Sequence, residues 1–522
     1  MPPKSATARK TNPKKNRLTR SVSFATTAHE FPLASLVYPL RSNASQWLIV
    51  PVVLMVAFLF RWAVGLGPYS GMKAPPMHGD FEAQRHWMEV TTQLPVKVWY
   101  WHDLDWWGLD YPPLTAYHSW LVGVIGNRID PNWFALHKSR GLDDEHLKTF
   151  MRATVAVSEY LTYVPGVVIF VRNYGKQMST YDRSIALAAI LMQPALMLID
   201  HGHFQYNAVM LGFTILAVDC FITGHVLWGS FFFVLSLCFK QMALYYAPVV
   251  FAYLLGVCVF PRIDIRRLFF IGAVTVATFA LMFAPLVVSG GFEQLGQCLF
   301  RVFPFARGLW EDKVANFWCA TNVVVKYKEL FASTTLQRVS LLMTLVGILP
   351  PCIIIFLYPR KQLLPLGLSA CAWSFFMFSF QVHEKSVLLP LMPATLLLAG
   401  SLGEDTVSWV TWMNNVAIFS MWPLLRRDGL ALQYTVMTLF SAWLMGTFHC
   451  LPKHWFAKLT HIGSYAAIIA LHAAELVVGK VERLPDLWVV GNVVVCFGCF
   501  TIAWAWLLNR LWTESQEKSK TE

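Results

Sequence analysis

About fourteen apolar stretches run through this 522-residue chain. Each is close to the roughly 20 residues that a helix needs to cross a bilayer. The first covers 46–66. After a long polar gap come runs near 150–172, 184–200, 204–222, 224–239, 241–259 and 268–289. After a second gap come runs near 336–357, 363–380, 386–402, 407–425, 431–449, 456–478 and 487–509. Sustained two-residue alternation is almost absent, so the expected class is an all-α polytopic membrane protein. Composition agrees: hydrophobic residues make up 56% and charged residues 14%, against about 25% charged in soluble domains. Lipid is therefore the expected solvent. The 22 Trp suit interface belts and sugar stacking alike, and leave that choice open.

Loop charge sets the orientation. From Met1 to Arg41 there are eight Lys or Arg against one acid, Glu30. Residues 1–45, rich in Ser, Thr and Pro, read as a disordered basic tail. A basic tail before a span is a topology signal rather than a nucleic-acid arm, and it is too long and polar for a cleaved signal peptide. With that tail cytosolic, Arg172, Lys176, Arg183, Arg262, Arg266, Arg267, Arg360 and Lys361 also face the cytosol. Arg426, Arg427, Glu404 and Asp405 obey the rule less well. The main domain is 46–510, and 511–522 forms a cytosolic tail in which Lys518 and Lys520 resemble a dilysine retrieval signal of the endoplasmic reticulum. The polar stretches 67–149 and 290–334 then fall in the lumen, with the short turns around His201, Lys240 and His383. Most of the ten cysteines read as small core hydrophobes. Cys298 and Cys319 flank the second polar stretch, where an oxidising lumen leaves a bridge open.

The residues able to do chemistry gather in those luminal segments. Asp80 follows a Pro/Gly turn just beyond the first span, sharing a helix face with Gln84. A carboxylate at the water–lipid boundary suits a general base acting on a sugar hydroxyl; it equally suits an N-cap for a helix starting at Phe81. Asp110 and Tyr111, beside Trp106 and Trp107, form a sugar-stacking platform or the start of a structural turn. In the turn Asp200 to Asn207, His201, His203 and Gln205 offer contacts to phosphate or sugar hydroxyls. The i,i+2 spacing of the two histidines is weak evidence for a metal. His383 and Lys385 offer donors to a phosphate, or pair internally with Glu384. Arg307, Glu311 and Asp312 belong to a loop able to steer a phosphorylated lipid, or to an ordinary solvated loop.

Several strings resemble one family. They are His78 to Trp87, Leu109 to Ser119, Asp200 to Asn207, Arg307 to Asn316 and Val382 to Lys385. The resemblance is to the endoplasmic-reticulum dolichyl-phosphate-glucose α-1,3-glucosyltransferases of N-glycan assembly, over about residues 46–510. Ala83 to Trp87 and Gly202 between two histidines look more like the branch that adds the first glucose than the sister branch that adds the second. The resemblance implies a GT-C fold with a luminal site. It implies dolichyl phosphate glucose as donor, the nine-mannose dolichyl-pyrophosphate oligosaccharide as acceptor, inversion at the anomeric carbon, and no metal or other cofactor. The family's catalytic base maps to Asp80, and His383 maps to its short luminal turn near the donor phosphate.

Two rivals are a polytopic lipid or sugar transporter and a non-catalytic subunit of a glycosylation complex. No internal repeat of the transporter kind is visible, and the polar groups cluster at helix ends rather than mid-membrane. The orientation has a direct test. Asn43-Ala44-Ser45 is a formal glycosylation sequon. In this topology it stays bare when the chain is expressed in cells, and an endoglycosidase-sensitive mass shift lost on Asn43→Gln would reverse the orientation.

Overall fold

The computed structural model describes residues 32–41, 46–303, 313–400 and 405–517. The sequon at 43–45, the loop residues Arg307, Glu311 and Asp312, Glu404, most of the basic tail and the terminal lysines lie outside the described residues; where the expected tails are described they are ordered instead, Pro32–Val37 as a helix that buries Leu33 and Ala34 and the last helix running on to Glu517. Among the described residues the chain is helical, with no strand.

Every one of the fourteen apolar runs contains a helix. Seven helices are long and apolar enough to cross a membrane: Trp47–Gly65, Glu145–Tyr174, Thr180–Phe204, Ile265–Val302, Ser333–Leu357, Trp455–Val478 and Leu487–Gln516. The others are shorter, because the sequence punctuates them. Gly224 ends Asn207–Thr223 with a left-handed φ of 91°. The helix Leu388–Leu396 runs only 9 residues before a tighter turn takes over.

The apolar window of Thr180–Phe204 is wholly buried, whereas that of Ile265–Val302 is only 17% buried and presents its apolar side chains outward. The first is therefore the pillar of the bundle, and the second is positioned as a lipid-facing helix. Close packing around the pillar needs small residues. A Cβ at Gly212 would lie 2.5 Å from the Tyr163 nitrogen, so only glycine lets Asn207–Thr223 meet the helix Tyr163–Tyr174.

Near the pillar sits a buried ion cluster. Arg61, 1% exposed, donates through Nε and Nη2 to the two Glu159 oxygens at 2.8 Å each. Its Nη1 donates to the carbonyls of Ala57 and Leu191 at 3.0 Å. His201 Nε2 lies 2.6 Å from Glu159 Oε2. Three helices are thus tied by one fully bonded carboxylate. That bonding is what makes a charge tolerable at such depth.

The polar stretches are not loose loops. The first folds into Asp80–Gln93, Pro113–Ile129 and shorter turns. The second was expected to begin where the run 268–289 ends; instead the helix bends at Gly291 (φ 67°, ψ −165°) and continues to Val302. Only glycine adopts that backbone readily. The bend lays the helix's polar last turns on the first stretch. Gln294 and Gln297 donate to the carbonyls of Val96 and Tyr100 at 3.1 and 3.0 Å. Arg301 donates to those of Leu109 and Gly108 at 3.3 and 3.0 Å.

Cys298 and Cys319 are not bridged; all ten cysteines are free thiols. Cys298 packs beside Tyr100 in the small core between the two polar stretches, whereas Cys319 packs against the main core. Cys496 and Cys499 form a C-x-x-C pair one helical turn apart, buried among apolar neighbours in the last helix.

Glu159→Gln leaves Arg61 buried with one charged partner fewer. Removing one member of such a pair costs about 3–5 kcal/mol. We expect a clear fall in the thermal unfolding midpoint of the purified protein in nanodiscs, read by tryptophan fluorescence.

Candidate active site

Asp80 is the first residue of the helix Asp80–Gln93, and Gly79 occupies the cap position with no side-chain cap bond. The capping alternative for Asp80 therefore does not hold. Its backbone nitrogen is instead satisfied by Ser70 Oγ at 3.3 Å, which frees the carboxylate to point elsewhere.

The helix itself is held by a buried cluster. Arg85, fully buried, donates to both Glu82 oxygens at 2.6 and 2.8 Å, to Ser139 Oγ at 2.6 Å and to the Trp133 carbonyl at 3.2 Å. It also lies 2.7 Å from Glu89. Burial pushes the Glu89 carboxyl up, but His86, Arg85 and the His137 amide outweigh it and hold it at about 2. Asp80 thus sits at the tip of a rigid arm.

The second element is the turn after the pillar helix. Leu198–Phe204 widens into a π-helical turn, a form frequent at functional sites. Phe204 then takes a left-handed φ of 91°, which costs about 1–2 kcal/mol for a residue with a Cβ. Packing holds it there: Phe81 and Tyr206 stand edge-on to its ring at 4.8 and 5.7 Å, and the Arg152 guanidinium lies 5.4 Å away. Asp200 closes the turn, accepting from Asn207 Nδ2 at 2.9 Å and the Ala208 amide at 2.7 Å. The wound turn presents His203 and Gln205 to Asp80.

His203 Nε2 lies 2.9 Å from Asp80 Oδ2, and Gln205 Nε2 donates to the same oxygen. Lys385, from the turn before Leu388–Leu396, donates to it as well and lies 3.2 Å from His203 Nε2. Burial pushes the Asp80 carboxyl up, yet Lys385 and His203 outweigh it and hold it well below the usual carboxylate range. The Asp80 and Lys385 side chains each remain 22% exposed, while His203 is buried. Two hollows lie near Asp80, one lined by its partners Gln205 and Lys385 and the other by Ser70 and Phe81. The smaller is lined by Tyr111, Gln205, Lys240, His383 and Lys385 among apolar side chains such as Met210 and Leu389. The larger is lined by Tyr69, Ser70, His78, Glu82 and Asp143.

Four residues in or near this site escaped the sequence reading as site members. Lys240 Nζ donates to Gln205 Oε1 at 2.7 Å and to Asn207 Oδ1 at 2.8 Å, and lies 4.8 Å from the centre of the Tyr111 ring. Asp428 Oδ2 lies 2.5 Å from His203 Nδ1. Lys240 and Asn207 stood in turns already recognised as luminal. Asp428 follows Arg426 and Arg427, which entered the sequence reading only through loop charge; Ser70 carried no signal.

The structure separates other residues expected to act together. His201 was expected to contact substrate; it is 2% exposed and engaged with Glu159, away from Asp80. Asp200, His201 and His203 each face different partners, so they do not converge as a ligand set. Tyr111 lines the smaller hollow, with its ring 4.8 Å from that of Trp87, whereas Asp110, one residue earlier, lies outside that lining. Among the described residues, His102, Asp103 and His137 place ligand-capable atoms within 4.8 Å of one another. Arg140 bonds Asp103 and sits 2.9 Å from His137 Nδ1, so a cation already occupies that group. An ionised carboxylate ringed by cations, beside one hollow rich in apolar surface and another rich in polar groups, is equipped to take a proton from a hydroxyl near an anionic lipid headgroup.

Known proteins resemble this chain over most of its length. Residues 57–506 match the model of the ALG6, ALG8 glycosyltransferase family. The chain is 49% identical over 523 residues to a Saccharomyces cerevisiae protein named dolichyl pyrophosphate Man9GlcNAc2 alpha-1,3-glucosyltransferase, covering 94% of this chain and 96% of the relative. It is 47% identical to a Schizosaccharomyces pombe protein named as a probable enzyme of that activity, covering 92% and 95%. It is 44% identical to a Gallus gallus enzyme of that name, covering 76% and 78%. With similarity of this extent spanning the arm that carries Asp80 and the turns that meet it, the chain belongs to the ALG6, ALG8 glycosyltransferase family.

Proposed function

We propose that this glycosyltransferase moves glucose from dolichyl phosphate β-D-glucose to the terminal mannose of dolichyl-pyrophosphate-linked Man9GlcNAc2, forming an α-1,3 bond with inversion. The acceptor follows from the activity for which the relatives are named. We read the fold as GT-C with about fourteen spans, some of them short, and the location as the endoplasmic-reticulum membrane with the Asp80 face in the lumen and both termini cytosolic. The observation that carries the reading is the one carboxylate on which His203, Gln205 and Lys385 converge.

In this mechanism the Asp80 carboxylate accepts the proton of the mannose 3-hydroxyl. The freed oxygen pair attacks the anomeric carbon of glucose, and the bond from that carbon to the phosphate oxygen breaks on the opposite face. The electron pair leaves with dolichyl phosphate, which is already ionised and needs positive charge rather than an acid. Lys385, Lys240 and His383 line the smaller hollow, whose apolar side suits the first units of a polyprenyl chain. Fixed charge of this kind is often the largest catalytic contribution. The larger polar hollow is left for the acceptor's hydroxyls.

Asp80→Asn removes the base while keeping the shape of the site. General-base catalysis contributes typically about 10²–10⁴-fold. Transfer by purified protein in proteoliposomes, measured with radiolabelled dolichyl phosphate glucose and the Man9 acceptor, should fall at least about a hundredfold, with donor binding retained. Near-normal transfer would remove Asp80 from this role. Because Lys385 and His203 depress the Asp80 carboxyl, the base is ionised above that lowered value and lost only below it. The acid limb of kcat/KM, which reports the free enzyme, should therefore lie below the ordinary Asp value of about 3.9. A limb above that value would contradict the geometry.

A further inference from the structure

His203 stands between two carboxylates. Its Nε2 lies 2.9 Å from Asp80 Oδ2, and its Nδ1 lies 2.5 Å from Asp428 Oδ2. A neutral imidazole has one N–H and one lone pair, so in neutral form one nitrogen would present its lone pair to an acceptor-only carboxylate. Only the imidazolium donates to both. Asp428, its side chain 3% exposed, comes from the turn after Trp422–Arg427, far along the chain from both other members.

Resting on the glucosyltransferase reading, we propose that Asp428 is a positioning residue that keeps His203 as a fixed cation, so that Asp80 stays ionised and aimed when Lys385 turns to the donor phosphate. In the structure Asp80 has two cationic partners, Lys385 and His203. A phosphate entering the smaller hollow competes for Lys385, which lines it. His203 is held from behind and lies outside that lining, so it does not follow. Asp80 then loses one cation, which makes it a stronger base, and keeps the other, which fixes its direction. No proton is consumed in this arrangement: the hydroxyl proton goes to Asp80, and His203 carries its own two N–H groups throughout.

The charged groups around His203 are few. Asp80 comes from the luminal arm, Lys385 from the turn before Leu388, and Asp428 from the turn opposite. Arg427 Nε lies 4.0 Å from the second Asp428 oxygen. Arg152 donates to the Gly202 carbonyl at 2.8 Å, and Lys240 reaches Gln205 at 2.7 Å. Glu159 engages His201 at 2.6 Å, two residues away. Of these, Asp428 is the carboxylate that meets Nδ1.

The test is the pH profile of purified full-length enzyme in proteoliposomes, with radiolabelled dolichyl phosphate glucose and the Man9 acceptor. In Asp428→Asn the ring becomes neutral, donating to Asp80 from Nε2 and accepting the Asn amide at Nδ1. The acid limb of kcat/KM should rise by about one pH unit, the shift a single lost neighbouring charge produces, while transfer at pH 7 falls less than about tenfold. Asp428→Glu, which retains a carboxylate, should restore most of the limb. His203→Gln should raise the limb similarly, and adding Asp428→Asn to it should add no further shift, because Asp428 acts through His203. An unmoved limb in Asp428→Asn, or additive shifts in the double variant, overturns the proposal. If Asp428→Asn does not accumulate, the His203→Gln limb decides, and its failure to move overturns the proposal equally. Absence of transfer by the wild-type protein overturns the functional reading and the proposal together; transfer with an unmoved limb overturns the proposal alone.

Discussion

One oxygen of Asp80 receives a histidine and a glutamine amide from one turn and a lysine from another. A carboxylate drawn out of water is costly unless its bonds are replaced, and here the replacement is what fixes the relative placement of the luminal arm, the turn after the pillar helix and the turn before Leu388. The surrounding structure answers to that requirement. The arm is stiffened by Arg85 and its two glutamates, the turn by the π-helical widening and the left-handed Phe204, and the Arg61–Glu159 pair locks the helices beneath.

The two histidines of the His-Gly-His string show how backbone geometry divides labour. In a regular helix, residues two apart face away from one another, and the widened turn keeps that divergence. His201 goes inward to Glu159 and His203 outward to Asp80. One acts as a strut of the bundle and the other as part of the site. Their type and spacing alone do not say which is which.

Much of this was legible in the sequence. Hydropathy located every apolar run that forms a helix, and the polar strings His78–Trp87, Asp200–Asn207 and Gln381–Lys385 held Asp80, His203, Gln205 and Lys385. What stayed hidden depends on direction rather than composition. Periodicity carries no information about where a side chain points in an irregular turn, so His201 was grouped with His203, and Lys240 was left outside the site. Asp428 was hidden by Arg426 and Arg427 beside it. The bend at Gly291 was hidden because a helix that changes direction keeps its residues helical on both sides, and the polar composition after it looked like a loop. The cap reading of Asp80 failed for a local reason: Gly79 took the cap position, one residue earlier.

The partners of Asp80 are written far apart: His203 follows it by 123 residues, Gln205 by 125 and Lys385 by 305. Chains emerge from the ribosome at about 5–20 residues per second, so roughly 15–60 s separate the carboxylate from its lysine. Throughout that interval the growing chain carries an acid whose stabilising ammonium has not yet been made. The site is therefore a property of the finished polypeptide alone, and a product ending before residue 385 is left with a charge that nothing later in the chain balances.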